Sequence, residues 1–198
     1  MISNTIKSKE YILAIDTHNF PGSIAVGCDN QVLGVIGLQS KVSHTKRLAE
    51  CVNFLFTQLN IEASQCKAIA INRGPGSFTG LRIGLSFFKG FAFPCGFPII
   101  GFDTFTLIAH SAKIDLPYLG ALVDAGRNEI YYKLFEHKDQ DMLAITEYCL
   151  ISPDDILHST HGMAPEETAL VGNGAMKYQN LFKEMGYRCI IPGASFLA

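Results

Sequence analysis

Charge is scarce in this sequence. Only 17% of its 198 residues are Asp, Glu, Lys or Arg, against 48% apolar, and the formal net charge is −2. That balance excludes a disordered chain, which cannot bury enough apolar surface to offset its ordering entropy. The Lys and Arg residues are scattered singly, so no basic stripe for direct nucleic-acid binding is read. No C-x-x-C occurs, and the six cysteines (Cys28, Cys51, Cys66, Cys95, Cys149, Cys189) lie far apart. The opening residues MISNTIKSKE lack the apolar run of a secretory signal, so reduced thiols and a cytoplasmic location are expected. The stretch Gly90–Phe102 is apolar but holds Pro94 and Pro98 and is too short to cross a bilayer.

Catalytic signatures are missing too. G-x-S-x-G does not occur around Ser77, and neither Ser77 nor Thr79 has a base nearby in sequence, which argues against a peptidase. His158 and His161 are spaced i, i+3 without a third ligand, so no metal site is expected there. His44, at a helix start, is expected to pack or hydrogen-bond locally.

What is present is alternation of strand and helix. Tyr11–Asp16, Ser23–Cys28 and Gln31–Leu38 read as strands, the last two joined by a tight hairpin because Asp29 and Asn30 tolerate turn conformations. Ser43 offers an N-cap for a helix to about Leu59. A buried strand Ala68–Asn72, the loop RGPGSFTG, a helix Thr79–Phe93, a strand at Ile99–Gly101 and a helix at Thr104–Ala112 follow. The second half restarts with strands Tyr118–Asp124 and Glu129–Glu136 and a third at Ala144–Leu150. Ser152-Pro153 starts a short helix. ALVGNGA is strand, turn and the start of a helix to Met185, and Cys189–Ile191 is a last strand. The plan implies an α/β protein of two small subdomains with mixed sheets flanked by helices, bounded as 1–102 and 103–198.

The glycine loop before the second helix could cradle a phosphate through backbone N–H groups. Counting from Gly74, however, Thr79 and Gly80 stand where a Walker loop needs Gly and Lys, and Thr79 also fills the third glycine of G-x-G-x-x-G. Two strand-end carboxylates, Asp16 and Asp124, complete a candidate nucleotide set with Thr17, Gly74 and Gly76. The alternative reading makes the aspartates turn caps. The helices carry more apolar surface than one stripe requires. Leu48, Val52, Leu55 and Leu59 align on the first, widened by Cys51, Phe54 and Phe56. On the second, Leu81, Leu85, Phe88 and Ala92 form one stripe, and Ile83, Phe87 and Phe91 another. Such helices are either deeply buried or covered by a partner.

RGPGSFTGLRIG (Arg73–Gly84) is similar to the most characteristic stretch of the TsaB family. LAIDT (Leu13–Thr17), Ser43–Leu48, Lys89–Ala92, ALVDAGRNEIYYKLFE (Ala121–Glu136), GNGA (Gly172–Ala175) and IPGASFLA (Ile191–Ala198) extend the likeness. The resemblance implies the actin-like ATPase superfold (ASKHA, ribonuclease H-like), in which carboxylates at positions such as Asp16 and Asp124 face a metal-nucleotide. It also implies a chain without catalytic activity of its own and with no cofactor bound, ATP being used elsewhere in the complex. Its implied partners are the paralogue TsaD, which places a threonylcarbamoyl group on the adenosine beside the tRNA anticodon, the ATPase TsaE, tRNA through the assembly, and a second copy when alone. The TsaD histidine pair H-x-x-x-H does not occur. The partner surface implied by the two helices comprises Leu48, Val52, Leu55, Leu81, Leu85 and Phe88. Two departures stand out: His18-Asn19-Phe20-Pro21 follows Asp16-Thr17 where small polar residues are expected, and the second subdomain, read as 103–198, is expected to lack the family's usual C-terminal helix. The rival reading is a nucleotide-dependent ATPase or kinase of the same superfold.

Overall fold

The computed structural model describes residues 10–19, 22–38, 44–139 and 141–190, the side chains of residues 44–46 excepted. The Ser43 cap, the His44 side chain, Phe20-Pro21 and the closing IPGASFLA lie outside the described residues. The contacts divide the chain into two units. One holds the described residues up to Arg73 with Ser77–Phe102; the other holds Gly74–Gly76 and the described residues from Asp103 onward.

The first unit contains β1 (Tyr11–Asp16), β2 (Gly22–Cys28), β3 (Gln31–Leu38), α1 (His44–Leu59), β4 (Cys66–Asn72), α2 (Phe78–Ala92) and β5 (Ile99–Phe102). Its sheet runs β3-β2-β1-β4-β5, with the first three strands antiparallel and β4 and β5 joining in parallel. Asp29 and Asn30 form the β2–β3 turn at φ 49° and 61°, a left-handed pair that short polar side chains accept. Each helix crosses between strands that end on the same side of the sheet, as parallel pairing demands. Leu13, Ile15, Ile24, Val26, Ile69 and Ile71 rise from the sheet to meet Leu48, Val52 and Leu55 of α1 and Phe88 and Ala92 of α2.

The second unit contains α3 (Thr104–Ser111), β6 (Tyr118–Gly126), β7 (Glu129–Lys138), β8 (Asp141–Ala144), β9 (Cys149–Ile151), α4 (Ile156–Ser159), β10 (Thr168–Val171), α5 (Asn173–Lys177), α6 (Gln179–Glu184) and β11 (Arg188–Ile190). The order β11-β10-β6-β7-β8 reproduces the first sheet's plan: an antiparallel three-strand opening, then two parallel additions. Its strands bury residues on both faces. Leu119, Ala121 and Val123 pack with Phe105 and Ile108 on one side; Leu122, Tyr132, Leu134 and Phe182 pack on the other.

Two expectations are corrected. The strand placed at Ala144–Leu150 is two strands, β8 and β9, both paired with β7. Between them the Leu134 N–H donates to the Thr146 hydroxyl at 3.0 Å instead of to a backbone carbonyl, which interrupts the ladder. The helix expected to run to Met185 is broken at Tyr178 (φ −108°, ψ 21°), which ends α5 and begins α6.

Candidate functional site

Parallel pairing of β1 with β4 sets the ends of both strands side by side and places Asn72 next to Asp16. One carboxylate oxygen of the buried Asp16, Oδ1, accepts three hydrogen bonds: from Asn72 Nδ2 at 3.0 Å, from the His18 N–H at 3.0 Å and from His18 Nδ1 at 2.6 Å. His18 is itself buried and fills the turn after β1. Its carbonyl accepts the Ser77 N–H at 2.6 Å. Thr17 lies against α2: a Cβ at Gly80 would run into its carbonyl oxygen, and one at Gly84 into its hydroxyl. Glycine at those two positions lets the helix seat directly on the turn. Asp16 and Thr17 therefore serve a packed strand-to-helix junction. Replacing Asp16 with alanine is expected to cost about 2–3 kcal/mol, because a buried charged acceptor of several bonds is lost. Urea denaturation measures it, and an unchanged midpoint would show that the network contributes nothing.

Asp124 has partners as well. It takes both its oxygens to Lys177 Nζ, at 2.8 and 3.0 Å, and Oδ1 also accepts the Gly126 N–H. The carboxylate holds the Lys177 ammonium above the ordinary lysine range. Asn173 Oδ1 accepts the Asp124 N–H at 3.0 Å.

The glycine loop spends its carbonyls in the same way. Gly74 (φ 101°) gives its oxygen to the Thr104 N–H at 2.9 Å, and Pro75 gives its oxygen to the Thr104 hydroxyl at 2.6 Å. Half-buried Gly76 leads into Ser77, whose Oγ caps α2 by accepting the Gly80 N–H at 3.2 Å. Among the described residues no cluster of three His, Cys, Asp or Glu side chains could hold a metal ion.

The open feature is a groove of about 760 Å³ between α1 and α2. Ala49, Asn53, Phe56 and Thr57 line one wall, Ser86, Phe87, Gly90 and Phe91 the other, and Val52 and Ile61 lie deeper. Phe91 is the hinge of the aromatic packing, edge-on to Phe56 at 6.3 Å and to Phe88 at 6.1 Å. Of the six residues expected to meet a partner, Leu48, Val52, Leu55 and Phe88 belong to the unit's own core, and Val52 also lines the groove. Leu81 is half-buried and Leu85 is 38% exposed. Gly80 and Gly84 draw α2 onto Thr17, so the buried line runs Gly80, Gly84, Phe88, Ala92, one residue earlier than the stripe drawn through Leu81 and Leu85. The second stripe, through Phe87 and Phe91, is the one that meets the groove, and Phe56 on α1 faces it.

A family model described as "TsaD: tRNA N6-adenosine threonylcarbamoyltransferase" matches residues 28–195. The tRNA threonylcarbamoyladenosine biosynthesis protein TsaB of Escherichia coli (strain K12) is 30% identical over 177 residues, spanning 88% of this chain and 76% of that protein. The chain belongs to the TsaB family. TsaB of Haemophilus influenzae is 31% identical over 123 residues, a match covering 61% of this chain and 52% of that relative. A tRNA N6-adenosine threonylcarbamoyltransferase of Solidesulfovibrio magneticus is 34% identical, but over 103 residues that make up only 27% of it. The TsaB likeness thus runs through both units, whereas the pairwise match to that transferase takes in about half of this chain. Among solved structures, YeaZ from Pseudomonas aeruginosa superposes with a TM-score of 0.74 at 24% identity, covering 86% of this chain and 79% of that one. The mixed sheets seen here are those of the actin-like superfold that the TsaB resemblance implied.

Proposed function

We propose that the chain is a non-catalytic subunit that docks on a TsaD-like transferase through the α1–α2 groove. In this reading the assembly, joined by a TsaE-like ATPase, installs the threonylcarbamoyl group on the adenosine beside the tRNA anticodon. The observation that carries the reading is the groove: an apolar trough walled by Phe56, Phe87 and Phe91 that the chain's own sheet leaves open. Aromatic residues in a central, desolvated trough are what protein interfaces use as anchors. Asp16 and Asp124 support it, since Asp16 Oδ1 is held by His18 and Asn72 and both Asp124 oxygens by Lys177. Among the described residues no helix is long and apolar enough to cross a membrane, and the proposed location is the cytoplasm, where tRNA is modified. In the absence of the transferase the same groove pairs two copies of the chain.

Mixing the purified chain with a purified TsaD-like transferase on a sizing column tests the proposal. A single earlier peak holding both chains is expected, and separate elution at micromolar concentrations would overturn it.

A further inference from the structure

From Ala63 to Phe102 the sequence contains no Asp or Glu, yet it carries Lys67, Arg73, Arg82 and Lys89. In a chain whose net charge is −2 this leaves one segment locally cationic. α2 lies wholly within it. At 100° per residue, Phe78, Arg82, Leu85 and Lys89 fall on one line along the helix, and Phe93 stands just past its end. Phe78 is 68% exposed and Phe93 89% exposed, and the side chains of Arg82 and Lys89 are in solvent. None of these residues lines the α1–α2 groove, so the ridge is a separate surface of the first unit. Arg73 is exposed on the loop that enters the helix.

The Arg82 guanidinium carbon lies 3.9 Å from the centroid of the Phe78 ring. One ring face is taken by the cation while the ring as a whole stays mostly in solvent. Such a plate offers a π surface and a positive charge together, which is what an unpaired base and its phosphate require. We propose that this ridge is a contact site for unpaired RNA, and, resting on the function proposed above, for the tRNA brought to the assembly. The two aromatic ends are roughly 22 Å apart along the helix direction, with cations between them. That spacing suits a strand whose bases stack singly while its phosphates pass over Arg82 and Lys89. A second copy packed antiparallel on the ridge would set Arg82 against Lys89, and like charges disfavour it. A globular partner would have to cover the rings across two cations.

The test uses the chain bound to its transferase and a fluorescein-labelled tRNA transcript, read by anisotropy over a series of KCl concentrations. The variant carrying Arg82→Gln and Lys89→Gln is first passed over the sizing column with the transferase, where co-elution is expected to persist. Its tRNA affinity is expected to fall about tenfold. The slope of log affinity against log salt is expected to shrink by about 1.4, close to 0.7 for each phosphate of a single strand that the variant no longer neutralises. Phe78→Ala with Phe93→Ala is expected to weaken binding about tenfold while leaving the slope in place, since stacking releases no counterions. Unchanged affinity and slope with the complex intact would overturn the proposal. Loss of co-elution in the glutamine variant would also overturn it, assigning the ridge to an acidic protein surface. Should the wild-type chain fail to join the transferase, the docking proposal falls by itself. The isolated chain is then titrated with the same transcript, and a salt slope unaffected by the glutamine substitutions would sink the RNA site.

Discussion

Replacing Ser86 with arginine is expected to weaken binding to a TsaD-like transferase by about 100-fold, or 2.7 kcal/mol. Ser86 is exposed on the groove wall beside Phe87, opposite Ala49 and Asn53. An arginine there projects a long charged side chain into the space where the partner's apolar residues are expected to seat. Burying that charge without a partner is costly, and steric filling of a central pocket removes the anchor contacts that dominate interface energy. The fold should be indifferent, because a solvent-facing helix position without caps or buried bonds shifts stability by no more than about 0.5 kcal/mol. Calorimetric titration gives the affinity, and thermal unfolding supplies the control. Asn53→Arg, on the facing helix, should behave alike. Retained affinity in both variants would place the interface elsewhere on the molecule.

Phe88→Ala should instead act on the fold. Phe88 is fully buried, packed edge-on against Phe87 at 4.8 Å and Phe91 at 6.1 Å, and lies in the core that joins α2 to the sheet. Emptying such a site costs about 3–5 kcal/mol, a large share of the roughly 5–15 kcal/mol by which a domain is stable. Leu85→Ala, three residues earlier on an exposed flank, should cost less than about 1 kcal/mol. Urea unfolding of the two variants measures the contrast. Equal losses would contradict the assignment of Phe88 to the interior and Leu85 to the surface. The comparison matters because both residues stand on one stripe in sequence and belong to different environments in space.

That divergence shows how far the sequence could be read. Strand and helix positions were legible because their apolar periodicities are long and their turns carry specific chemistry, as Asp29-Asn30 does between β2 and β3. The helices were correctly read as having more apolar surface than one face needs. Which stripe faces inward was not legible, since the answer depends on a close approach rather than on hydrophobicity. Gly80 and Gly84, next to Thr17, rotate α2 so that Phe88 and Ala92 point to the sheet and Phe87 and Phe91 to the groove. The glycines were visible, but their target lies more than sixty residues away in the chain. Asp16 and Asp124 were likewise visible as strand-end carboxylates. Their partners Asn72 and Lys177 are separated from them by 56 and 53 residues, beyond what local pattern can pair. His18, which departs from the small polar residues expected there, is the side chain that occupies the turn after β1. The cationic ridge is hidden for a related reason: Arg82 and Lys89 look scattered in sequence, and only a helical turn count brings them into line with Phe78.

Amide hydrogen exchange of this chain with and without a TsaD-like transferase tests the docking face most directly. Slower exchange confined to the groove walls, residues 49–60 and 86–91, is the predicted footprint. Slowing that instead maps to β8 and β9 of the second unit, or no slowing at all when the partner is saturating, would contradict it.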